Sequence, residues 1–285
     1  MGLSQRKRKR ILRLRSRKLR PREGLVLVEG LRTCAEALEA EVPVLFAVAS
    51  PSLDSRAEAP RLLDRLAARD VPVDRTDAAS LAEISDTESP QGLLLVCEEP
   101  SHSVEALVAG LRDGSTDSGR YLVLDGIQDP GNGGTLIRAA RAFALDGVVA
   151  LEGTVDPWNP KAVRAAAGAS FHLPVVKARW EGEAQPALRG AGVRLLGADA
   201  GGEEVGREAM GPPWALVVGG EARGPRPDLL EAVERRVAVG MPGGGDSLNA
   251  GVAGAILLHA LTGASSCEGS RESARRVDGQ EGRAR

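Results

Sequence analysis

Three loops hold the residues best suited to chemistry: DPGNGGTLIR (129–138), GGEARGP (219–225) and MPGGGDSLN (241–249). Each sets glycine beside amide, carboxylate or hydroxyl side chains. Glycine lets a backbone approach a ligand closely, and its N–H and C=O groups can then read an adenine edge or a carboxylate. The first loop is not built for a pyrophosphate. A dinucleotide fingerprint needs G-x-G-x-x-G, but after Gly131 and Gly133 the third place holds Leu136, and the Walker pattern needs a lysine that is absent here. Any one loop could be an ordinary turn in a chain with 35 glycines. The three together, each with a polar tip, form a candidate site.

All three loops follow predicted strands, which is where open α/β sheets bind ligands. The strands are YLVLDG (121–126), WALVVGGE (214–221) and RVAVGM (236–241). Around them run further strands GVVALEG, HLPVVK and VRLLGADA, alternating with helices, so that residues 120–264 read as one α/β domain with a parallel sheet. In the helix after the first loop, Leu136, Ile137, Ala140, Phe143 and Ala144 form an apolar stripe, and at 100° per residue Arg138 lies opposite it. Ser247 and Asn249 immediately precede the last helix, and one of them is expected to cap it. That helix, AGVAGAILLHAL, is so small and apolar that both its faces are expected to be buried, at a subunit interface or in tight packing.

Upstream, strands and helices alternate over residues 23–100, including LVLVE, VPVLFAVAS, VPVDR and GLLLVCE, with Asp77 as an expected helix cap. This reads as a smaller α/β domain with a largely parallel sheet. A looser segment, 101–119, reads as a linker, and 265–285 lacks apolar residues and reads as a disordered tail.

Aromatic residues make up only 2% of the chain, so the core must be built from Ala, Val and Leu. The net charge of −2 conceals an asymmetry. Residues 1–22 carry eleven Lys/Arg and no acid, leaving −13 on the other 263 residues. A basic arm on an acidic body fits contact with a polyanion, and nucleic acid is preferred over a targeting peptide, since no apolar stretch follows the arginines. The candidate RNA contacts are Arg6, Lys7, Arg8, Arg17, Lys18 and Arg20. Cys34, Cys97 and Cys267 have no metal-ligand spacing, which points to a reducing, cytoplasmic setting without zinc. No apolar run is long enough for a membrane span.

Taken together, the motifs resemble the SpoU/TrmH family of RNA ribose 2′-O-methyltransferases, in the knotted SPOUT class. The resemblance rests on Asn-x-Gly-x-x-x-Arg at Asn132, Gly134 and Arg138; on Gly-x-Glu-x-x-Gly at Gly219, Glu221 and Gly224; and on Ser-Leu-Asn at 247–249. PKAVRAAAGASFHLPV is similar to the family's mid-domain segment, and the stretches LRSRKLRPREGLVLVEGLRTCAEAL and ISDTESPQGLLLV resemble its RNA substrate-binding domain. Val239-Gly240-Met241 stands where members usually read Ile-Pro-Met, Ala250-Gly251 where they read Val-Ser, and Gly220 where an asparagine often precedes the glutamate.

The resemblance implies a trefoil-knot α/β domain preceded by a smaller L30e-like domain, a homodimer, and S-adenosylmethionine held at Gly219, Val239, Met241 and Leu248. It implies Arg138 as the catalytic arginine, with Asn132, Glu221, Ser247 and Asn249 orienting it and the ribose. A guanidinium is a poor base, so charge stabilisation of the 2′-oxygen is the favoured role, with the base role left open. The implied substrate is RNA, with 23S ribosomal RNA favoured over tRNA. A non-catalytic RNA-binding protein with the same fold, or a nucleotide-dependent dehydrogenase, are the competing readings.

Overall fold

The computed structural model describes residues 2–206, 210–221, 223–244 and 247–263. The expected tail at 265–285, and Cys267 with it, lie outside them. The small domain contains α1 (Gln5–Arg15), β1 (Leu25–Glu29), α2 (Leu31–Glu39), β2 (Val44–Ala49), α3 (Pro51–Asp54), α4 (Ala59–Ala67), β3 (Val73–Arg75), α5 (Ala78–Ile84) and β4 (Leu93–Glu98). Its sheet order is β1-β4-β2-β3. Asp77 caps α5, accepting from the Ser80 N–H at 2.9 Å.

The largely parallel sheet expected here is not what forms. β2 and β3 pair in parallel, but β4 pairs antiparallel with both β1 and β2. The alternating pattern gives the directions of β1, β2 and β3 correctly. After α5 a loop carries the chain past β3 and β2, and β4 inserts between β1 and β2, antiparallel to both.

The basic segment is no free arm. It folds as α1, whose Ile11 and Leu14 are fully buried against Leu27, Phe46, Leu81 and Val96. Amphipathic spacing supplies this anchor, and Ser4 caps the helix.

The larger domain runs through α6 (Val104–Leu107), α7 (Ala109–Asp113), β5 (Arg120–Asp125), α8 (Pro130–Ala142), β6 (Gly147–Leu151), α9 (Pro160–Ala165), β7 (Val175–Ala178), α10 (Gln185–Gly190), β8 (Arg194–Glu204), β9 (Trp214–Gly219), α11 (Pro227–Ala232), β10 (Arg235–Ala238) and α12 (Ala250–Thr262). Its six strands, ordered β10-β8-β9-β5-β6-β7, are all parallel, as the sequence predicts. The expected linker is partly core, with Val104 and Val108 buried beneath this sheet.

Close backbone contact sets the helix layer. A Cβ on Gly134 of α8 would lie 2.4 Å from the Ala162 carbonyl oxygen of α9, and one on Gly254 of α12 would lie 2.3 Å from Leu136. The two glycines therefore let α9 and α12 settle onto α8. Along α8, Leu136, Ile137 and Ala140 are buried while Arg138 is exposed, as the stripe predicts. Ala144, assigned to that stripe, lies past the helix end at φ 53° and is exposed. Among the described residues of one chain, one face of the last helix is covered, while Val252 and Ile256 on the other remain 47% and 41% exposed.

The two domains meet through ion pairs. Arg164 reaches Asp86 at 2.8 Å and Glu29 at 3.4 Å, Arg141 reaches Glu36 at 2.9 Å, and Arg20 reaches Asp156 at 2.8 Å. Burial pushes the Glu29 carboxyl above its ordinary value, against the pull of the Asp86 N–H and Arg164. Among the described residues, no helix is long and apolar enough to cross a membrane.

Candidate active site

The three motif loops converge at the carboxyl ends of β5, β9 and β10. Asp129 caps α8 by accepting from the Asn132 N–H at 2.8 Å, which fixes the helix start that carries Asn132. Asn249 caps α12, its Oδ1 accepting from the Val252 N–H at 3.2 Å. Of the two expected cap candidates, Asn249 rather than Ser247 takes the role.

Between these helix starts stands Glu221. Asn132 Nδ2 donates to Glu221 Oε1 at 2.6 Å, and Asn249 Nδ2 donates to the same oxygen at 2.9 Å and to Asn132 Oδ1 at 2.9 Å. Residues 132, 221 and 249 thus close a triangle of side-chain hydrogen bonds. Gly251 lies directly under it, since a Cβ there would sit 3.2 Å from the Oδ1 atoms of both asparagines.

The 219–226 corner that carries Glu221 is held at both ends by Asp125. The Gly220 N–H donates to the Asp125 carbonyl at 3.0 Å. The Asp125 carboxylate, only 3% exposed, accepts from the Arg226 backbone N–H at 2.6 Å and from its Nε at 2.7 Å. The Arg226 side chain continues to the Glu152 carbonyl at 2.8 Å. Its hydrogen bonds to Asp125 push the Arg226 pKa upward. The turn itself is tight: a Cβ on Gly219 would lie 2.0 Å from the Gly224 carbonyl carbon and from Pro225 N. Only glycine fits there.

Beside the triangle opens a cavity of about 320 Å³, lined by Gly219, Gly220, Glu221, Arg223, Val239, Met241, Ser247 and Leu248, together with Ala198–Ala200. All four residues predicted to hold the cofactor, Gly219, Val239, Met241 and Leu248, are in its wall, and Ser247 joins them. The volume falls within the range of small-molecule sites. The lining suits S-adenosylmethionine, with apolar side chains and exposed backbone for the adenine and with the opposed charges of Asp199, Glu221 and Arg223 for its charged groups. A second, wider cleft of about 1170 Å³ shares Glu221, Arg223 and Gly224 with it and is also lined by Asn132, Asp129, Glu152 and Arg226. The triangle therefore stands at the boundary between the two spaces.

Arg138 is exposed on α8 and takes no part in the triangle's bonds. Of the expected RNA contacts, Arg20 is not free for that role. It is 1% exposed and bonded to Asp156 and to the Leu14 carbonyl. Lys7 and Arg8 are paired with Asp74 and Glu83, whereas Arg6, Arg17 and Lys18 are exposed. Among the described residues no group of three side chains could hold a metal ion, and the Cys34 and Cys97 thiols are buried, the latter pushed up to about 12.

Three residues that line the cavity or the cleft escape the sequence reading: Asp125, Arg226 and Asp199. Asp199 lies within β8, at the point where its pairing with β10 slips. β10 pairs with Leu196 and Gly197 of β8 and then shifts to Glu203, and the skipped segment forms part of the cavity wall. The Asp125–Arg226 pair spans 101 residues and is not visible in any local pattern.

The comparisons agree with this architecture. The family model for the SpoU rRNA methylase family matches residues 119–259, and that of an MRM3-like substrate binding domain matches residues 6–95. The chain is 36% identical over 185 residues to the 23S rRNA (guanosine(2553)-2′-O)-methyltransferase RlmP of Bacillus subtilis, covering 65% of this chain and 70% of that protein. It is 31% identical to the mitochondrial rRNA methyltransferase 3 of Homo sapiens over 59% of this chain, which spans 39% of that longer protein. Its fold superimposes on an AdoMet-bound rRNA methyltransferase from Sinorhizobium meliloti with a TM-score of 0.75 at 25% identity, covering 91% of this chain and 95% of the other.

Asn249 carries two separable duties. Asn249→Asp keeps the oxygen that caps α12 but replaces the donor with an oxygen facing two acceptors, whereas Asn249→Ala loses both. Thermal or urea unfolding should show a loss of about 1 kcal/mol for the alanine variant and a smaller one for the aspartate variant, while methyl transfer falls by about 100-fold in both. Normal turnover of Asn249→Asp would exclude the triangle from the reaction. With its three motifs joined in one site and both family models matched in order, the chain is an S-adenosylmethionine-dependent methyltransferase of the SpoU rRNA methylase family.

Proposed function

We propose that this protein methylates a ribose 2′-hydroxyl of 23S ribosomal RNA. The observation that carries the reading is the Asn132–Glu221–Asn249 triangle at the boundary of the cofactor-sized cavity and the open cleft. The substrate assignment draws on the Bacillus subtilis relative, named for guanosine 2′-O-methylation of 23S rRNA, and on the substrate-binding module matched at residues 6–95.

Bound S-adenosylmethionine supplies an electrophilic methyl group on its sulfonium. The residues of this chain must then place a ribose hydroxyl opposite that methyl and manage the charge that grows on its oxygen. Positioning of this kind accounts for much of such a rate enhancement. Glu221 spends Oε1 on two amide donors, so its second oxygen is held at a fixed angle at the cavity mouth and can accept from a ribose hydroxyl. Asn132 and Asn249 act on that carboxylate as positioning residues.

Arg138 is the candidate charge stabiliser. An arginine side chain offers five donors and no acceptor, which suits an oxygen gaining negative charge better than it suits proton removal. Its exposure on α8 means that its working surroundings come from outside its own core contacts. A second copy of the chain supplies them in this reading. Leu248, Val252 and Ile256 are spaced four residues apart and are 38%, 47% and 41% exposed, an apolar stripe beside the cavity that a homodimer would cover.

Two outcomes test this. Arg138→Lys should lose most methyl transfer to unmodified 23S rRNA while binding RNA and cofactor as before; unchanged turnover removes Arg138 from the reaction. Val252→Asp combined with Ile256→Asp should sediment as a monomer where the wild type sediments as a dimer. A monomeric wild type would refute the dimer.

A further inference from the structure

Six of the eleven cations in residues 1–22 are already committed to carboxylates. Lys7 pairs with Asp74, Arg8 with Glu83, Arg10 and Arg13 with Glu23, Arg15 with Asp86, and Arg20 with Asp156. Arg6, Lys9, Arg17, Lys18 and Arg22 are exposed and have no ion pair among the described residues. The first two stand on the N-terminal half of α1. The other three cluster in the corner between α1 and β1.

That corner is tied to the catalytic domain. Arg20 anchors it to Asp156 across the domain boundary. Arg17, Arg20 and Pro21 line a groove of about 560 Å³ whose other wall is the carboxyl ends of β6 and β7, including Glu152, Lys177 and Arg179. Most charges inside the groove are balanced: Asp156 by Arg20, Glu183 by Arg179 at 2.8 Å, and Lys177 by Glu99. Of the charged residues that line the groove, Arg17 and Glu152 have no ion pair among the described residues, and the exposed Lys18 and Arg22 lie next to Arg17 and Pro21 along the chain. The groove also shares Glu152 with the wide cleft beside Glu221, and the Glu152 carbonyl is fixed by Arg226. Residue 152 thus borders both the reaction cleft and the groove lined by Arg17.

We infer that this groove is the path of the RNA strand flanking the methylated nucleotide, with backbone phosphates held at the corner by Arg17, Lys18 and Arg22. The inference rests on the ribose-methylation reading above, and it assigns the affinity to one end of the basic segment rather than to the whole of it. Phosphate contacts of this kind position a strand without reading its sequence. Each contact to a single strand contributes about 0.7 to the slope of log K against log salt, so three contribute about 2.

The test compares two variants of the full chain, Arg17→Ala/Lys18→Ala/Arg22→Ala and Arg6→Ala/Lys9→Ala, with unmodified 23S rRNA transcript as the probe. Equilibrium binding across a salt series and the KM for that RNA in methyl transfer are both measured, with cofactor binding and the unfolding midpoint as checks on folding. The corner variant should lose about tenfold or more in RNA affinity at low salt, show a slope shallower by about 2, and raise KM for RNA with kcat little changed. The α1 variant should lose less than half of that slope change. A corner variant with wild-type affinity and slope, or an α1 variant with the larger loss, overturns the path. Absence of methyl transfer by the wild type, with the corner effect on binding intact, instead counts against the 23S reading and leaves the path standing.

Discussion

Asp125 ends the central strand β5, and its buried carboxylate accepts from both the backbone and the side chain of Arg226 while its carbonyl takes the Gly220 N–H. The loop between those two attachment points carries Glu221 and lines both the cavity and the cleft. A buried ion pair of this kind is weak evidence for stability, because desolvating two charges offsets much of their attraction. Its value here is conformational. The pair fixes where a glycine-rich corner begins and ends, so the corner needs no regular structure of its own.

Every further feature of the site builds on that fixed corner. With Glu221 held in place, the starts of α8 and α12 bring Asn132 and Asn249 to its carboxylate, each set by a helix cap. The absence of a side chain at Gly254 leaves room for Leu136 and lets α12 pack closely on α8. The small domain is linked to the same framework through Arg20, Arg141 and Arg164, so a substrate held by one domain is presented at a defined distance from the other.

Much of this was legible in the sequence, for identifiable reasons. The parallel sheet of the larger domain follows from strands alternating with helices, and the rule that ligands bind beyond strand ends picked out loops that do meet. The outward face of Arg138 followed from helical periodicity alone. Long-range pairing was not legible. Nothing local to residues 93–98 shows that β4 inserts antiparallel between β1 and β2, and nothing local to Arg20 shows that it is buried against Asp156. A run of basic residues reads as a solvated arm until the partners of each charge are known. For α12, composition did not tell which face packs within the chain, and it is the face of Val252 and Ile256 that stays open in one chain.

In the proposed reaction the triangle of Asn132, Glu221 and Asn249 serves methyl transfer to a ribose hydroxyl. The most direct measurement is incorporation of tritiated methyl from S-adenosylmethionine into unmodified 23S rRNA, followed by alkaline hydrolysis. A methylated 2′-oxygen cannot attack the neighbouring phosphate, so the label should be recovered in an alkali-resistant dinucleotide. Label recovered entirely in mononucleotides would mean that a base is the acceptor, and would contradict the proposed reaction.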